Sequence, residues 1–136
     1  MPSETPKAVV RRYFEAYNTQ RPDAVMAFVN RDHVYHPPGG GEPMDRRARQ
    51  ADEAPFFAAF TDIEAVVEDQ IAEGDRVASL VTMRCTHTGP YGGLPPSGRR
   101  IAITFIDISS IRDGKILEEW DEFDMRSILR QLGAGP

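Results

Sequence analysis

The hydrophobic residues in the first part of the chain recur every three or four positions, a spacing that predicts amphipathic helices. The first predicted helix runs from Pro6 to Asn18, and Thr5 is placed to act as its N-cap. A shorter helix is predicted over about Pro22–Val29. The apolar face of the first helix comprises Val9, Val10, Tyr13, Phe14 and Tyr17.

The pattern changes between these helices and the middle of the chain. His33–His36 is too short for a helix before two prolines and three glycines, so it is interpreted as a brief strand that enters a loop. Helical character returns from Pro43 to Phe60. Pro55 is expected to break this helix before Phe56, because proline lacks an amide hydrogen and clashes with the preceding turn.

The second half of the chain alternates apolar and polar residues with period two, which predicts β-strands. Tight turns are predicted at Gly74 and Gly114. A final helix begins near Asp124 and is capped by Gly133. The predicted strands cover Ile63–Ile71, Arg76–His87, Arg100–Ile111 and residues 115–123.

Helices followed by a meander of at least four long antiparallel strands predict an α+β fold, in which a curved antiparallel sheet wraps around the N-terminal helices. Such a sheet encloses a cone open at one end, where we expect an apolar small molecule to bind. A chain of 136 residues suffices for one domain with a proper core, so we expect a single domain over residues 1–136.

The net charge of −5 argues against nucleic acid or an anionic membrane as a partner, since both require clustered Lys and Arg. The one short basic cluster is interpreted as a solvated helix face among acidic residues; it comprises Arg46, Arg47 and Arg49.

The single cysteine, Cys85, excludes an intrachain disulfide, and the histidines lack the spacing of a zinc site, so no metal is expected. Neither an export signal nor an apolar stretch of about 20 residues is found, so we expect a cytoplasmic protein.

The closing strand places a carboxylate among apolar residues. Alternation sets Asp121 and Phe123 on one face and Trp120 on the other, and on the preceding strand Phe105 and Asp107 share a face. If these faces line a closed pocket, burial raises the pKa of a carboxyl group and makes it a useful base or proton donor near neutral pH. Because two carboxylates facing one cavity do not both ionise easily, one would hold a proton while the other acts as a base.

Polar and aromatic side chains elsewhere are candidates for the mouth of this pocket. His36 is expected to face inward and His33 to lie at the surface, because side chains three apart on a strand point to opposite faces. Tyr35, between these two histidines in the sequence, is a further candidate for the mouth of the pocket. His87 either contacts substrate or holds the loop that follows it, and Tyr17 of the first helix is a core residue that could reach the pocket.

Four stretches of the chain carry a resemblance to a known family; they are Val9–Glu15, Asp32–Pro38, Thr86–Arg100 and Asp113–Gly133. In order and spacing they resemble the SnoaL-like polyketide cyclases of the nuclear-transport-factor-2-like (NTF2-like) superfamily. The resemblance implies a cystatin-like α+β cone and a homodimer formed through the outer face of the sheet. It also implies an intramolecular aldol closure of a polyketide ester, or an isomerase reaction on a small hydrophobic carbonyl compound, without metal or organic cofactor.

In this family the catalytic acid/base is an Asp on the last strand, and Asp121 stands at that position. A base must take the proton alpha to a carbonyl, and a donor must stabilise the enolate oxygen. The candidate catalytic residues are Asp121, Asp107 and His36. The candidate substrate-binding residues are Tyr35, Arg84, His87, Phe105, Phe123 and Tyr17.

Two alternatives remain open at this point. The closing segment also resembles limonene-epoxide-hydrolase-type enzymes, whose Asp, Arg, Asp group activates water. Asp121 and Arg84 match two members of that group, but the second Asp would fall at Thr86. A non-catalytic protein of the same fold that binds a small ligand is the other alternative. The sequence also departs from the family pattern, since Asp107 and Glu119 stand where the better-studied cyclases have imidazoles near the catalytic Asp.

Overall fold

The computed structural model describes residues 4–134, in which a six-stranded sheet curves around the N-terminal helices. The helices are α1 (Pro6–Ala16), α2 (Pro22–Met26), α3 (Arg46–Ala59) and α4 (Met125–Gln131). The strands are β1 (Val29–His36), β2 (Met44–Asp45), β3 (Phe60–Glu73), β4 (Arg76–His87), β5 (Arg100–Arg112) and β6 (Lys115–Glu122). Within the described residues, no helix is long and apolar enough to cross a membrane.

The strands follow the spatial order β2-β1-β6-β5-β4-β3. Strands β3 to β6 form the predicted antiparallel meander, whereas β1 lies parallel to β6. The register sets Tyr35 beside Glu119 and Asp107 directly opposite Asp121. The parallel pair therefore brings a segment from the first third of the chain to the carboxylates of the last strand.

The predicted start of the first helix and both predicted ends of the last helix are confirmed, whereas α1 ends at Ala16, two residues before the predicted Asn18. The Thr5 hydroxyl accepts a hydrogen bond from the Ala8 amide at 3.2 Å and caps α1. Asp124 caps α4 in the same way through the Ser127 amide. Gly133 follows α4 with a φ of +93°, a backbone conformation that favours glycine and ends the helix.

Two predicted boundaries in the middle of the chain are wrong. Helix α2 ends at Met26, and Val29, which was assigned to it, begins strand β1. Helix α3 continues through Pro55 instead of breaking there. Phe57 and Ala59, which follow this proline, are both buried in the core. Their burial offsets the roughly 3 kcal/mol that a proline costs inside a helix.

The two faces of the sheet differ. The inner face packs against α1, whose Val10, Tyr13 and Phe14 are buried in the core. The outer face leaves large apolar side chains exposed. These exposed residues include Val66, Ile71, Leu80, Ile106 and Ile108.

Candidate active site

A cavity of about 570 Å³ lies between the inner face of the sheet and the helices. Most of its wall is apolar, including Phe14, Phe56, Phe60, Met83, Phe105 and Phe123. The polar groups that interrupt this wall include Tyr17, Tyr35, Arg49, Asp52, Glu53 and Asp121. An apolar cavity of this size with a few convergent polar groups is typical of a site for a small organic molecule.

Asp121 lines this cavity from β6 and is 6% exposed. Its Oδ2 accepts a hydrogen bond of 2.9 Å from the Tyr35 hydroxyl, and its buried Oδ1 has no hydrogen-bond partner among the described residues. Burial and the nearby Asp121 carboxylate raise the pKa of Tyr35 well above its ordinary value. Tyr35 therefore stays protonated and continues to orient Asp121.

Three carboxyl groups, Asp107, Glu119 and Asp121, form a carboxylate cluster behind the cavity. Each offers an oxygen within 4.8 Å of the other two. Ser109 donates a hydrogen bond of 2.7 Å to Asp107 Oδ1, and the Tyr13 hydroxyl donates one of 3.1 Å to Glu119 Oε1. The second oxygens of Asp107 and Glu119, like Oδ1 of Asp121, are buried without a partner among the described residues.

Protons account for the unpartnered oxygens of the carboxylate cluster. Burial raises the pKa of Asp107 well above its ordinary value, and the charges of Glu119 and Asp121 raise it further. Burial also raises the pKa of Glu119 to about 7, with Asp121 acting in the same direction. At neutral pH the cluster therefore holds at least one proton, which allows one oxygen to donate a hydrogen bond to another.

The cluster is also the one group of His, Cys, Asp and Glu side chains within residues 4–134 whose ligand atoms lie close enough together to hold a metal ion. Hard divalent ions take six or more oxygen ligands or keep several waters. Asp107 and Glu119 are fully buried, which leaves little room for such waters. Shared protons fit this closed setting better than a metal ion.

The raised pKa of Glu119 predicts a pH-dependent gain in stability on replacement by Gln. Between the ordinary value of 4.5 and about 7, folded Glu119 retains a proton that the unfolded chain releases, so its contribution to stability falls as the pH rises. Glu119→Gln lacks this loss, and its stability relative to the unsubstituted protein should increase by up to about 1.4 kcal/mol per pH unit across that interval. Urea denaturation at several pH values measures the difference. The exposed Glu122→Gln serves as control, and a difference that is independent of pH would contradict the prediction.

Helix α3 contributes a buried cation to the cavity wall. Arg49 is 7% exposed, and its guanidinium carbon lies 3.6 Å from the centroid of the Tyr35 ring. Its Nη2 donates hydrogen bonds to the hydroxyls of Tyr17 at 3.1 Å and Tyr13 at 3.3 Å, and lies 3.4 Å from Glu53 Oε1. The interpretation of the basic cluster as a solvated helix face is therefore wrong for Arg49.

The position of Arg49 follows from helical geometry. Arg49 and Glu53 are one turn apart and share the face of α3 that carries buried Phe57, whereas Arg47 on another face is exposed. The spacing of Arg49, Glu53 and Phe57 at intervals of four was the sequence signal for this inward face. The surrounding acidic residues concealed it.

The two histidines of β1 lie on the faces opposite to those predicted. His36 stacks on Trp120 with ring centroids 4.7 Å apart, and its Nε2 lies 2.6 Å from Glu118 Oε2. The parallel register with β6 pairs His36 with Trp120, and this places it away from the cavity. His33 is 1% exposed, and its Nδ1 lies 3.2 Å from the Ile116 carbonyl oxygen. Burial, with the charge of Arg49, lowers the pKa of His33 to about 4, so this ring is neutral at neutral pH.

Two further candidates for substrate contact lie outside the cavity. Arg84 is exposed on β4, whose alternation sets it on the face opposite buried Met83 and Cys85. His87 is buried, and its Nδ1 accepts a hydrogen bond of 3.1 Å from the Ser97 amide. His87 therefore contacts the loop that follows β4, which is one of the two roles considered for it. The predicted residues Tyr17, Tyr35, Phe105 and Phe123 do line the cavity.

Comparison with known proteins gives a consistent result. The chain matches the family model described as SnoaL-like polyketide cyclase over residues 7–132. It is 34% identical to the aklanonic acid methyl ester cyclase DnrD of Streptomyces peucetius, over 92% of this chain and 88% of that protein. It is 32% identical to the aklanonic acid methyl ester cyclase DauD of Streptomyces sp. (strain C5), over 92% and 80% of the two chains. The crystal structure of wild-type IdmH from Streptomyces antibioticus superimposes with a TM-score of 0.84 and 32% identity, over 96% of this chain and 100% of IdmH.

Proposed function

The chain belongs to the SnoaL-like polyketide cyclase family, and we propose that it closes a ring in a polyketide ester by an intramolecular aldol reaction. The family and the α+β cone predicted from the sequence are confirmed. The named cyclase activities of its relatives favour an enzyme over a non-catalytic binding protein. Arg84, which the sequence matched to the arginine of the epoxide-hydrolase group, lies on the face of β4 away from the cavity.

The observation that carries this proposal is the position of Asp121. A carboxylate whose Oδ2 is held by Tyr35 lies in the wall of an apolar cavity of suitable size. In the proposed reaction Asp121 takes the proton alpha to a carbonyl, and the resulting enolate carbon attacks a second carbonyl of the same molecule. One carbon–carbon bond forms, and the alkoxide oxygen receives the proton that Asp121 removed. The product has the same atoms and oxidation level as the substrate, so the step requires no redox cofactor.

The proposed substrate class is the methyl ester of a polyketide acid, following the relatives named above. The test is incubation of the purified protein with aklanonic acid methyl ester, followed by chromatography of the products. Ring closure faster than in buffer, without an added cofactor, supports the proposal. A rate no higher than that in buffer, together with no bound ester, would argue against this substrate class.

We assign Asp107 a positioning role behind Asp121, in which its carboxyl group stays protonated and donates a hydrogen bond within the cluster. The two residues are directly opposite in the β5–β6 register, and each has one oxygen without another partner among the described residues. Asp107 does not line the cavity, so it acts through Asp121 and not on the substrate. His36 has no place in this mechanism because it lies on the other face of the sheet.

Two substitutions test the role of Asp107. Asp107→Asn keeps a neutral donor and is expected to retain turnover within a few fold. Asp107→Leu removes the donor and should lower kcat by about tenfold or more, the value of one hydrogen bond to a charged group. Without that donor, the negative charge of the carboxylate cluster is less well stabilised, so the acidic limb of the kcat/KM profile should move to higher pH only in Asp107→Leu. Identical pH profiles in the two variants would leave Asp107 with a packing role alone.

The exposed apolar outer face is the surface that we propose for a homodimer. Val66, Leu80, Ile106 and Ile108 lie there on neighbouring strands, and burying them against a second copy would remove apolar surface from water. Sedimentation should give the mass of a dimer, and Ile106→Glu should shift it towards the monomer. A monomer at high protein concentration would contradict this.

The single-domain organisation and the cytoplasmic location stay predictions.

A further inference from the structure

We propose that Arg49 binds the negatively charged oxygen that develops on the substrate, so that the cavity pairs a base, Asp121, with a cationic oxyanion-binding group. The catalytic part of this inference rests on the proposed cyclase reaction. Its binding part does not, because a ligand with an anionic oxygen should be selected whether or not a reaction follows. The class of ligand implied is a planar polycyclic phenolate or enolate.

The guanidinium of Arg49 has donor capacity left for a ligand. Its hydrogen bonds to the hydroxyls of Tyr13 and Tyr17 both come from Nη2. Its Nη1 donates to no described residue and, unlike Nε, is not fully buried, and the side chain forms part of the cavity wall. Because this charged N–H lies in a largely apolar setting, a ligand oxygen that accepts a hydrogen bond from it would be bound strongly.

Tyr35 connects the cation to the base. Its ring lies under the Arg49 guanidinium at 3.6 Å, and its hydroxyl donates to Asp121 at 2.9 Å. The two charged groups therefore contact the same aromatic side chain, Arg49 over the face of the ring and Asp121 at the hydroxyl. A carbonyl oxygen and its alpha carbon are two bonds apart, so one substrate can present its oxygen to Arg49 and its alpha proton to Asp121.

The other donors near Asp121 are already engaged. The Tyr35 hydroxyl donates to Asp121, and the Tyr17 hydroxyl donates to Glu53 at 2.7 Å. His36 and His87, which the sequence made candidates for the site, do not line the cavity. Tyr91 also lines the cavity, where it packs edge-on against Phe60 at 5.0 Å, and is the rival donor.

The charges around the cavity allow the effect of Arg49 to be identified from the direction in which the pKa of a bound phenol shifts. Asp52, Glu53 and Asp121 contribute carboxylates to the wall, and most of the remaining wall is apolar. These groups would raise the pKa of a bound phenol, because both burial and negative charge oppose its ionisation. Arg49 is the one lysine or arginine in the wall of this cavity within the described chain, and it acts in the opposite direction. A lowered pKa of the bound phenol therefore indicates contact with Arg49.

The test uses a nitronaphthol that ionises near neutral pH, and its methyl ether, which has the same shape but cannot ionise. The phenolate should bind the protein about 10- to 100-fold more tightly than the ether, the range of a hydrogen bond between charged groups. The absorbance of the bound phenol should give a pKa about one to two units lower than in water. Both measurements are made on the unsubstituted protein. Tighter binding of the ether, or a raised pKa of the bound phenol, would by itself overturn the proposal.

Variants identify the residue responsible. Arg49→Met combined with Glu53→Leu removes both charges of the pair and should abolish the preference for the phenolate while the ether still binds. Arg47→Met, an exposed arginine on the same helix, and Tyr91→Phe should both keep the preference. Persistence of the preference in the double variant, or its loss in Tyr91→Phe alone, would refute the role of Arg49.

Asp121→Asn separates this inference from the proposed reaction. It should lose turnover yet keep or increase the preference for the phenolate, because a nearby negative charge has been removed. If Asp121→Asn keeps turnover while the preference still depends on Arg49, the acid/base proposal fails and the oxyanion site stands. If Asp121→Asn loses turnover but no variant changes the preference for the phenolate, the acid/base proposal stands and the oxyanion site fails.

Discussion

Replacing Asp121 by Asn is expected to lower the rate of ring closure by about 10²- to 10⁴-fold, the range for loss of a general base. The amide is nearly isosteric with the carboxylate but does not take up a proton. Its carbonyl oxygen still accepts the hydrogen bond from Tyr35, so the wall of the cavity should keep its shape. Steady-state kinetics with aklanonic acid methyl ester measures the effect.

Two controls accompany this variant. Glu122→Gln makes the same chemical change at the next residue of β6, where the side chain is exposed, and should leave the rate unaltered. The thermal midpoint of Asp121→Asn should stay close to that of the unsubstituted protein, or rise, since a buried charge has been removed. Turnover within a few fold of the unsubstituted enzyme would end the assignment of Asp121 as the base.

The largest loss of stability is expected for Arg49→Met. This change removes one partner of a buried ion pair and leaves the Glu53 carboxylate without its cation. Removing one member of such a pair costs about 3–5 kcal/mol, because the other charge stays buried and uncompensated. Urea denaturation at pH 7 should show this reduction in the free energy of unfolding. Burial already raises the pKa of Glu53, and loss of the Arg49 charge should raise it further.

The double variant Arg49→Met with Glu53→Leu should recover most of that stability. Arg49 and Glu53 are both buried, and replacing a whole buried ion pair by apolar side chains of similar size is often neutral or stabilising. A double variant as unstable as Arg49→Met would show that the bonds to Tyr13 and Tyr17, and not the charge of Glu53, carry the effect.

The sequence predicted the elements whose periodicity is strong and local. Helix α1 and the strands from β4 to β6 were found within a few residues of their observed ends, because each has a regular apolar face. The alternation that sets Asp121 and Phe123 on one face, opposite Trp120, also holds, as does the shared face of Phe105 and Asp107.

The errors concern partners that are distant in the sequence. Nothing in the pattern around His36 indicates that β1 pairs in parallel with β6, yet that register decides which histidine faces inward. Arg49 escaped detection for a related reason: an arginine among charged residues is typical of a surface, and only the packing of α3 against β1 shows that this one is buried. Local composition does not report tertiary burial of a charge.

The parallel pairing of β1 with β6 also bears on the order in which the molecule folds. Strand β1 emerges early in synthesis but pairs with only two residues of β2 until β6, more than half the chain later, is available. Contacts between segments so far apart form slowly, because the loop between them must close first. We therefore expect Tyr35 and Asp121 to meet late, after the β3–β5 meander is in place. A nascent chain that lacks β6 has neither Asp121 nor the partner strand that positions Tyr35.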